Sequence, residues 1–371
     1  MDPTRLYQIA LLKVPGVGHG IIKNLISYCG SAESVFKTPV GKLMKIPGIG
    51  EITARAIHKT PPIQAAEAEL QRCEKMGVSI LLYTDTNYPR RLKHIYDAPS
   101  LLYYRGQADL NPAKSVSIVG TRKATDYGRR MTQQLVEALV PHQPLIVSGL
   151  AYGIDIEAHR AALNLGLPTL GVMASGVDTI YPAVHRSTAE KMVDQGGLMS
   201  ENPLGAKPDA PKFPARNRII AGMSDVVIVV EAAESGGALI TARLAVDYHR
   251  DLFAVPGNLD QPQSAGCLKV IREQLAQVYT SIKDIEDAMN WQPGEQPEQT
   301  TDLNELELSE EARNLLNLLI QNPNGILIDD LSWKSQLPIH LVMSTLLELE
   351  FQGLVKALPG KRYRLEKPVR A

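Results

Sequence analysis

Ile118-Val119-Gly120-Thr121-Arg122 and, further along, Ile146-Val147-Ser148-Gly149-Leu150-Ala151-Tyr152-Gly153-Ile154-Asp155 decide the fold of this chain. Each is a short apolar run that ends in small and polar residues, the pattern of a buried parallel strand feeding a glycine-rich turn ahead of a helix. Such turns aim backbone N–H groups, and the positive end of the helix, at whatever lies above the strand ends. Arg122 adds a planar fork of donors matched to phosphate. The two turns therefore predict an anion site made of Gly120, Thr121, Arg122, Ser148, Gly149 and Gly153.

The pattern repeats outward. From about Leu70 to Asn290, apolar strands alternate with helices in the order of a doubly wound α/β sheet. The predicted strands are 116–119, 145–147, 169–173, 198–200, 226–230 and 252–255, with helices at 128–139, 154–165 and 238–247 among those between them. Val226-Val227-Ile228-Val229-Val230 is unbroken and β-branched, as a central strand covered on both faces requires.

Lys212-Phe213-Pro214-Ala215-Arg216-Asn217-Arg218 packs three cations, an aromatic ring and an amide into seven positions. Cations interleaved with an aromatic suit single-stranded nucleic acid: phosphates pair with Arg and Lys while a base stacks on Phe213. The same residues also fit a plain helix start, with Phe213 in the core and Arg216 in a salt bridge. Ser235-Gly236-Gly237, with Thr241 just beyond, opens another glycine-rich helix, and Glu231 stands before it. Several such turns on one sheet edge converge on one cleft. Asp155 and His159, four apart on one helix, share a face and read as a hydrogen-bonded pair that fixes the helix to a loop. Tyr181-Pro182 reads as a turn shaping the cleft rim.

Composition bounds what such a cleft serves. A chain of 371 residues, 44% hydrophobic and 21% charged, predicts two or three globular domains. No apolar run approaches a membrane-spanning length, and the start lacks a signal peptide's pattern. Cys29, Cys73 and Cys267 are far apart and odd in number, which argues against a disulfide scaffold and a CxxC zinc site. The expectation is a cytoplasmic protein with no metal or other cofactor. The net charge of −1 is uneven, with 14 cations against 9 anions in residues 1–110, 17 against 19 in 111–290, and 8 against 12 in 291–371. That balance excludes broad electrostatic coating of DNA and leaves local contact. There is no GxxxxGK[ST], no GxGxxG with a following acidic residue, and no GxSxG in a strand–turn–helix setting. No catalytic residue is predicted.

Two blocks flank the sheet. Val14-Pro15-Gly16-Val17-Gly18 recurs as Ile46-Pro47-Gly48-Ile49-Gly50, each ahead of an apolar-periodic helix, 21–28 and 52–57. This resembles the paired helix-hairpin-helix element of many DNA-binding proteins, and it equally suits a helical module that makes protein contacts. After a polar linker at Trp291–Gln299, Ser309 starts a helix, 327–333 and 339–351 predict two more, and 354–358 with 363–365 form a hairpin around Pro359-Gly360-Lys361. Three helices and a hairpin suggest a winged helix. Its recognition helix, 339–351, carries Glu348 and Glu350 and no Lys or Arg, which favours a protein-contact module.

Gly120-Thr121-Arg122, the run Ser148–Asp155 with His159, Tyr181-Pro182, Ser200-Glu201, Phe213–Arg218, Glu231 with Ser235-Gly236, and Ala254-Val255-Pro256-Gly257 occur in an order that resembles the DNA-processing protein A family (DprA, also called Smf). The resemblance covers residues 80–270 closely. It implies an extended Rossmann-like domain between a helical, SAM-like domain and a winged-helix-like domain, with expected bounds 1–69, 70–290, a linker at 291–307, and 308–371. It further implies a non-enzymatic protein of natural transformation that binds and protects incoming single-stranded DNA, loads the RecA recombinase onto it, and works as a homodimer through the Rossmann domain. In the family the two DNA-pocket segments correspond here to Gly120, Thr121 and Arg122, and to Lys212, Phe213, Arg216 and Arg218. Two departures stand out: Thr121 replaces a common serine, and Ser264–Ile271 lacks the family's asparagine. Rossmann-type phosphoribohydrolases are the rival resemblance. They carry a glutamate within the helix start, whereas Ser235–Thr241 has none and Glu231 precedes the turn.

Overall fold

Val227 and Val229 face one side of their strand and Val226, Ile228 and Val230 the other, and both rows are buried, in two different core clusters. Alternation with burial on both sides makes this the central strand of a covered sheet. The computed structural model describes residues 3–59, 61–293, 301–302, 308–322, 325–366 and 369–370.

The sheet has nine strands: β1 Ser79–Leu82, β2 Leu101–Gly106, β3 Ser115–Val119, β4 Leu145–Ser148, β5 Thr169–Val172, β6 Gly197–Ser200, β7 Val226–Val229, β8 Asp251–Ala254 and β9 Gln277–Val278. They lie in the order β1-β2-β6-β5-β4-β3-β7-β8-β9. The run from β6 to β9 is parallel, and β1 and β2 extend it in antiparallel fashion. The six predicted strands are all present, with no end shifted by more than one residue. Connections step outward from β3 through β4, β5 and β6, then return to β7 on the other side of β3. Where strand order reverses in this way, loops part at the carboxyl edge and leave a crevice. The β1–β2 extension was not predicted.

The N-terminal helices pack in the same compact unit as the sheet. The two repeated turns precede helices His19–Cys29 and Glu51–His58, and Gly16 and Gly48 take matching left-handed conformations, φ 81° and 83°. Val14, Val17, Ile22, Ile46, Ile49 and Ile57 share one small core, so the two hairpins fold against each other.

The C-terminal unit has its own core, formed by helices Glu310–Ile320, Ile328–Ser335 and Ile339–Phe351 with strands Ile326–Leu327, Val355–Leu358 and Arg362–Leu365. Ser309 caps the first helix by accepting the Ala312 N–H at 3.2 Å. This is a winged helix, as predicted, with a short third strand beside the hairpin. Within the stretch predicted as linker, Thr301–Asp302 pair with Val369–Arg370, a ladder too short for periodicity to register; 294–300 and 303–307 lie outside the described residues.

Replacing the fully buried Ile228 by Ala should destabilise the sheet unit by about 2–5 kcal/mol. It should lower the urea midpoint without altering the denaturant slope. The same change at Ile52, 88% exposed, should move it by less than about 0.5 kcal/mol.

Candidate functional site

An open cleft of about 510 Å³ lies at the carboxyl edge, among the turns that follow β3, β4 and β5 and the start of helix Lys212–Gly222. The crossover from β6 to β7 begins at this edge, so the first turn of its helix stands over the strand ends. Phe213 and Arg216 line the cleft together with Arg122, Leu150, Ala151, Tyr152, Val172, Met173, Ala174, Tyr181 and Pro182.

Arg216 forms the floor. It is buried, and its Nη1 donates to the Val172 carbonyl while Nε reaches Asn217 Oδ1 at 3.3 Å. Burial lowers its pKa to about 10, so it stays charged at neutral pH. The opposing charge is Asp155, which accepts the Ala151 N–H at 3.3 Å. Burial pushes the Asp155 carboxyl up and outweighs the pull of Arg216. Gly149 lies between the two. A Cβ there would sit 2.3 Å from Asp155 Oδ2 and 2.6 Å from Arg216 Nη2, so only glycine fits. His159 fixes the same turn from beneath, its Nε2 meeting the Gly149 carbonyl at 2.5 Å and its Nδ1 the Thr169 hydroxyl at 2.6 Å. Burial lowers its pKa to about 4, so the ring is neutral and donates Nε2–H to that carbonyl.

The rim is aromatic and cationic. The exposed Arg122 guanidinium lies over the Phe213 ring at 5.4 Å, and Phe213 meets Tyr181 at 5.8 Å. Tyr152 packs edge-on against His185, whose Nδ1 meets the Leu150 carbonyl at 2.9 Å. Gly153 is left-handed, φ 77°, and passes so close to the β3 turn that a Cβ would lie 2.1 Å from the Thr121 carbonyl. Helix Ile154–Asn164 starts there without a side-chain cap. The amides of Gly149, Leu150, Tyr152 and Gly153 find no acceptor among the described residues. A turn with unbonded amides at a helix N-terminus binds anions.

The structure sorts the predicted residues. Arg122, Phe213 and Arg216 line the cleft, Gly149 lies against Arg216 and Gly153 against the Thr121–Arg122 backbone, and Lys212 has its Nζ on the Lys207 carbonyl at 3.1 Å. Thr121 turns its amide into the fold, donating to the Glu231 carbonyl at 2.7 Å, and Gly120 packs on Ile154. Ser148 also points inward, donating to the Ile118 carbonyl at 2.6 Å. Arg216 is a buried support and Asn217 its neighbour. Arg218 is no cleft residue, because two residues along a helix is a turn of about 200°. It pairs with Glu201 and the Asp97 carbonyl on the far side, near His19 of the helical block. Ser235, Gly236, Gly237 and Thr241 stand at the end of β7, outside the cleft lining, with Thr241 buried. Asp155 and His159 share their helix but not a bond. Glu231 accepts the Thr125 N–H at 3.0 Å and the Thr125 hydroxyl, holding the residue that caps helix Asp126–Leu139 by accepting the Gly128 N–H at 3.2 Å, which takes it away from cleft chemistry.

Sequence reasoning placed the Tyr181-Pro182 turn at the cleft rim, where it lies, but gave Tyr181 no binding role and did not single out Tyr152. Tyr152 and Tyr181 are half-exposed aromatics beside Gly153 and Pro182 in turns after β4 and β5. Their signal was an aromatic ring kept at a loop tip, where nothing in the core needs it. No group of three or more His, Cys, Asp or Glu among the described residues could hold a metal ion. No described helix is long and apolar enough to cross a membrane.

A doubly wound sheet with a turn of unbonded amides and a cation–aromatic rim, flanked in the chain by a helix-hairpin-helix tandem and a winged helix, fits a class of nucleic-acid-handling Rossmann proteins. Comparison narrows the class. Residues 79–290 match the DNA recombination-mediator protein A family, 298–361 the DprA winged helix domain, and 9–60 the SAM-like helix-hairpin-helix tandem. Protein Smf of Synechocystis sp. is 33% identical over 395 residues, covering 96% of this chain and 98% of that protein. The X-ray structure of DNA processing protein A from Streptococcus pneumoniae aligns with a TM-score of 0.68 at 32% identity, over 76% of this chain and 97% of that one. Helicobacter pylori DNA processing protein A, solved for its single-stranded DNA binding mode, aligns at 0.52 and 31% identity, over 57% and 95%. The chain belongs to the DprA/Smf family of DNA recombination mediators.

The neutral, buried His159 makes stability depend on pH. Its folded pKa of about 4 lies below the unfolded value of 6.5, so between these pH values the unfolded chain binds the extra proton. Stability at this residue is complete above pH 6.5 and is lost as pH falls towards 4, by up to about 3 kcal/mol. Asp155 and Glu201, raised by burial, act in the opposite sense, and His19, lowered to about 4, acts in the same sense. Urea midpoints against pH for the chain and for His159→Gln should therefore differ in slope across that window, with the variant shallower.

Proposed function

We propose that the cleft holds one strand of single-stranded DNA, without catalysis, and that the chain serves DNA uptake in natural transformation. In this reading it protects incoming strands in the cytoplasm, acts as a homodimer, and loads the RecA recombinase for homologous recombination. The domain bounds are proposed as 1–69, 70–290 and 308–371, joined by a linker at 291–307. The observation that carries the reading is the ledge of Arg122, Phe213 and Tyr181 beside the unbonded amides of the Gly149–Gly153 turn. Phosphates would meet Arg122, Lys212 and those amides, and a base would stack on Phe213 or Tyr181. Arg216 supplies positive potential from below and positions the turn. Bases met by stacking and backbone met by charge give weak sequence preference. Membership of a recombination-mediator family, and the single-stranded DNA binding of the Helicobacter pylori relative, support the same substrate.

Fluorescence anisotropy of a labelled oligonucleotide over a salt series tests this. Single-stranded DNA should bind well ahead of duplex. Arg122→Ala should weaken it about ten- to a hundredfold, as loss of a charge-assisted bidentate contact does. Phe213→Ala should cost about 1–3 kcal/mol for lost stacking. The log–log salt slope should fall by about 0.7 for each phosphate contact removed. Unchanged affinity in Arg122→Ala would place the DNA elsewhere, and release of free base from nucleoside monophosphates would make the cleft an enzyme's.

A further inference from the structure

Helix Ile339–Phe351 buries Val342, Leu346 and Leu349 in the core of the C-terminal unit. Its other side carries Ile339, Met343, Leu347 and Phe351, which are 46%, 56%, 53% and 85% exposed. Scattered exposed hydrophobics need no explanation, but these are spaced i, i+4, i+8 and i+12. They form one continuous ridge about 18 Å long. This is the helix that a winged helix offers to a DNA groove, and its only formal charges are those of Glu348 and Glu350. A duplex would meet an apolar, acidic surface here.

We infer that the ridge pairs with the same ridge of a second copy of this chain, antiparallel, about a two-fold axis level with Thr345. The ridge is complementary to itself, which singles out a second copy as its partner. In that register Met343 of each copy meets Leu347 of the other, and Ile339 meets the larger Phe351, so the ridge is filled along its length. The ends are complementary in charge as well. One end carries Glu348 and Glu350. The other is a helix start with no side-chain cap, preceded by the exposed Lys334 and carrying His340. Antiparallel pairing sets Glu348 beside the first turn of the facing helix, where the N–H groups carry partial positive charge, and His340 opposite Glu350. Parallel pairing would set Glu348 against itself. A patch that matches itself in this way gives an isologous, two-fold contact between the C-terminal units of two copies. The inference stands apart from the reading of the cleft, since it uses no residue of the sheet unit.

Cysteine pairing in the full-length chain tests it. Cys73 and Cys267 are buried, so Cys29→Ser leaves a quiet background. In that background, chains carrying Ile339→Cys are mixed with chains carrying Phe351→Cys and treated with a short bis-maleimide. The mixed pair should crosslink about tenfold more than Ile339→Cys alone. Adding Leu347→Glu, which buries a carboxylate in the seam, should reduce that yield about tenfold. Met343→Gln should reduce it as well, and circular dichroism checks that both variants keep their helices. Equal yields from same-site and cross-site pairs, no crosslink at tens of micromolar, or a yield indifferent to Leu347→Glu would each overturn the pairing. A crosslink that forms only in extract, and to a different chain, would overturn it in favour of another protein partner.

Discussion

The guanidinium of Arg216, held out of water, is what the carboxyl edge of the sheet is built around. Burying an unpaired charge costs several kcal/mol even after relaxation, and removing a partner from a buried pair is heavily destabilising. The offsetting groups come from three separate places: the Val172 carbonyl at the end of β5, the Asn217 amide on its own helix, and the Asp155 carboxyl at the start of helix Ile154–Asn164. None can shift without leaving the cation uncompensated. The turn between β4 and that helix is therefore locked, and the His159 ring under the Gly149 carbonyl locks it from the other side. A rigid floor beneath an exposed Arg122–Phe213–Tyr181 rim suits the proposed binding of single strands of many sequences. In that reading the amides that would face phosphates are preorganised, and the side chains that would meet bases keep their freedom. The buried cation also acts at a distance, since low-dielectric walls carry its potential to the cleft mouth.

The sequence reading captured the strands and turns because their chemistry is local. An apolar β-branched run such as Val226–Val230 has one stable place, and glycines at strand ends signal close approach whatever the tertiary context. It failed on direction. Lys212–Arg218 reads as one cationic cluster along the chain, but it folds as the start of a helix, where each residue turns by about 100°. Phe213 stands at the cleft rim, Arg216 is buried as the cleft floor, and Arg218 faces Glu201 and the helical block. The bland alternative, a plain helix start with Phe213 in the core and Arg216 in a salt bridge, was right about the helix. Phe213 lines the cleft instead of the core, Arg216 is buried, and it is Arg218 that makes the ion pair. A linear spacing could not have divided them without knowing which side of the helix the sheet lay on.

The β1–β2 extension was missed for a related reason. Leu101–Gly106 is buried at the sheet's margin by pairing with β6, and nothing in its composition says which edge of which sheet it joins. The rim tyrosines were undervalued because exposure, the property that marks them, is invisible until the loops are placed.

The C-terminal helix shows the opposite case, in which the sequence held more than its periodicity suggested. Its acidic character argued against a DNA groove and for protein contact, but nothing in that reading assigned its hydrophobic residues to faces. The structure divides them between two. A helix apolar all round belongs in an interior. Helix Ile339–Phe351 has an interior on one side only, since Val342, Leu346 and Leu349 meet the core while Ile339, Met343, Leu347 and Phe351 face solvent. Core packing has no use for the second row, and groove recognition would need cations in its place. A winged helix that keeps its fold while presenting an apolar ridge offers a neighbour helix-on-helix packing at the place where cations would offer phosphate contact.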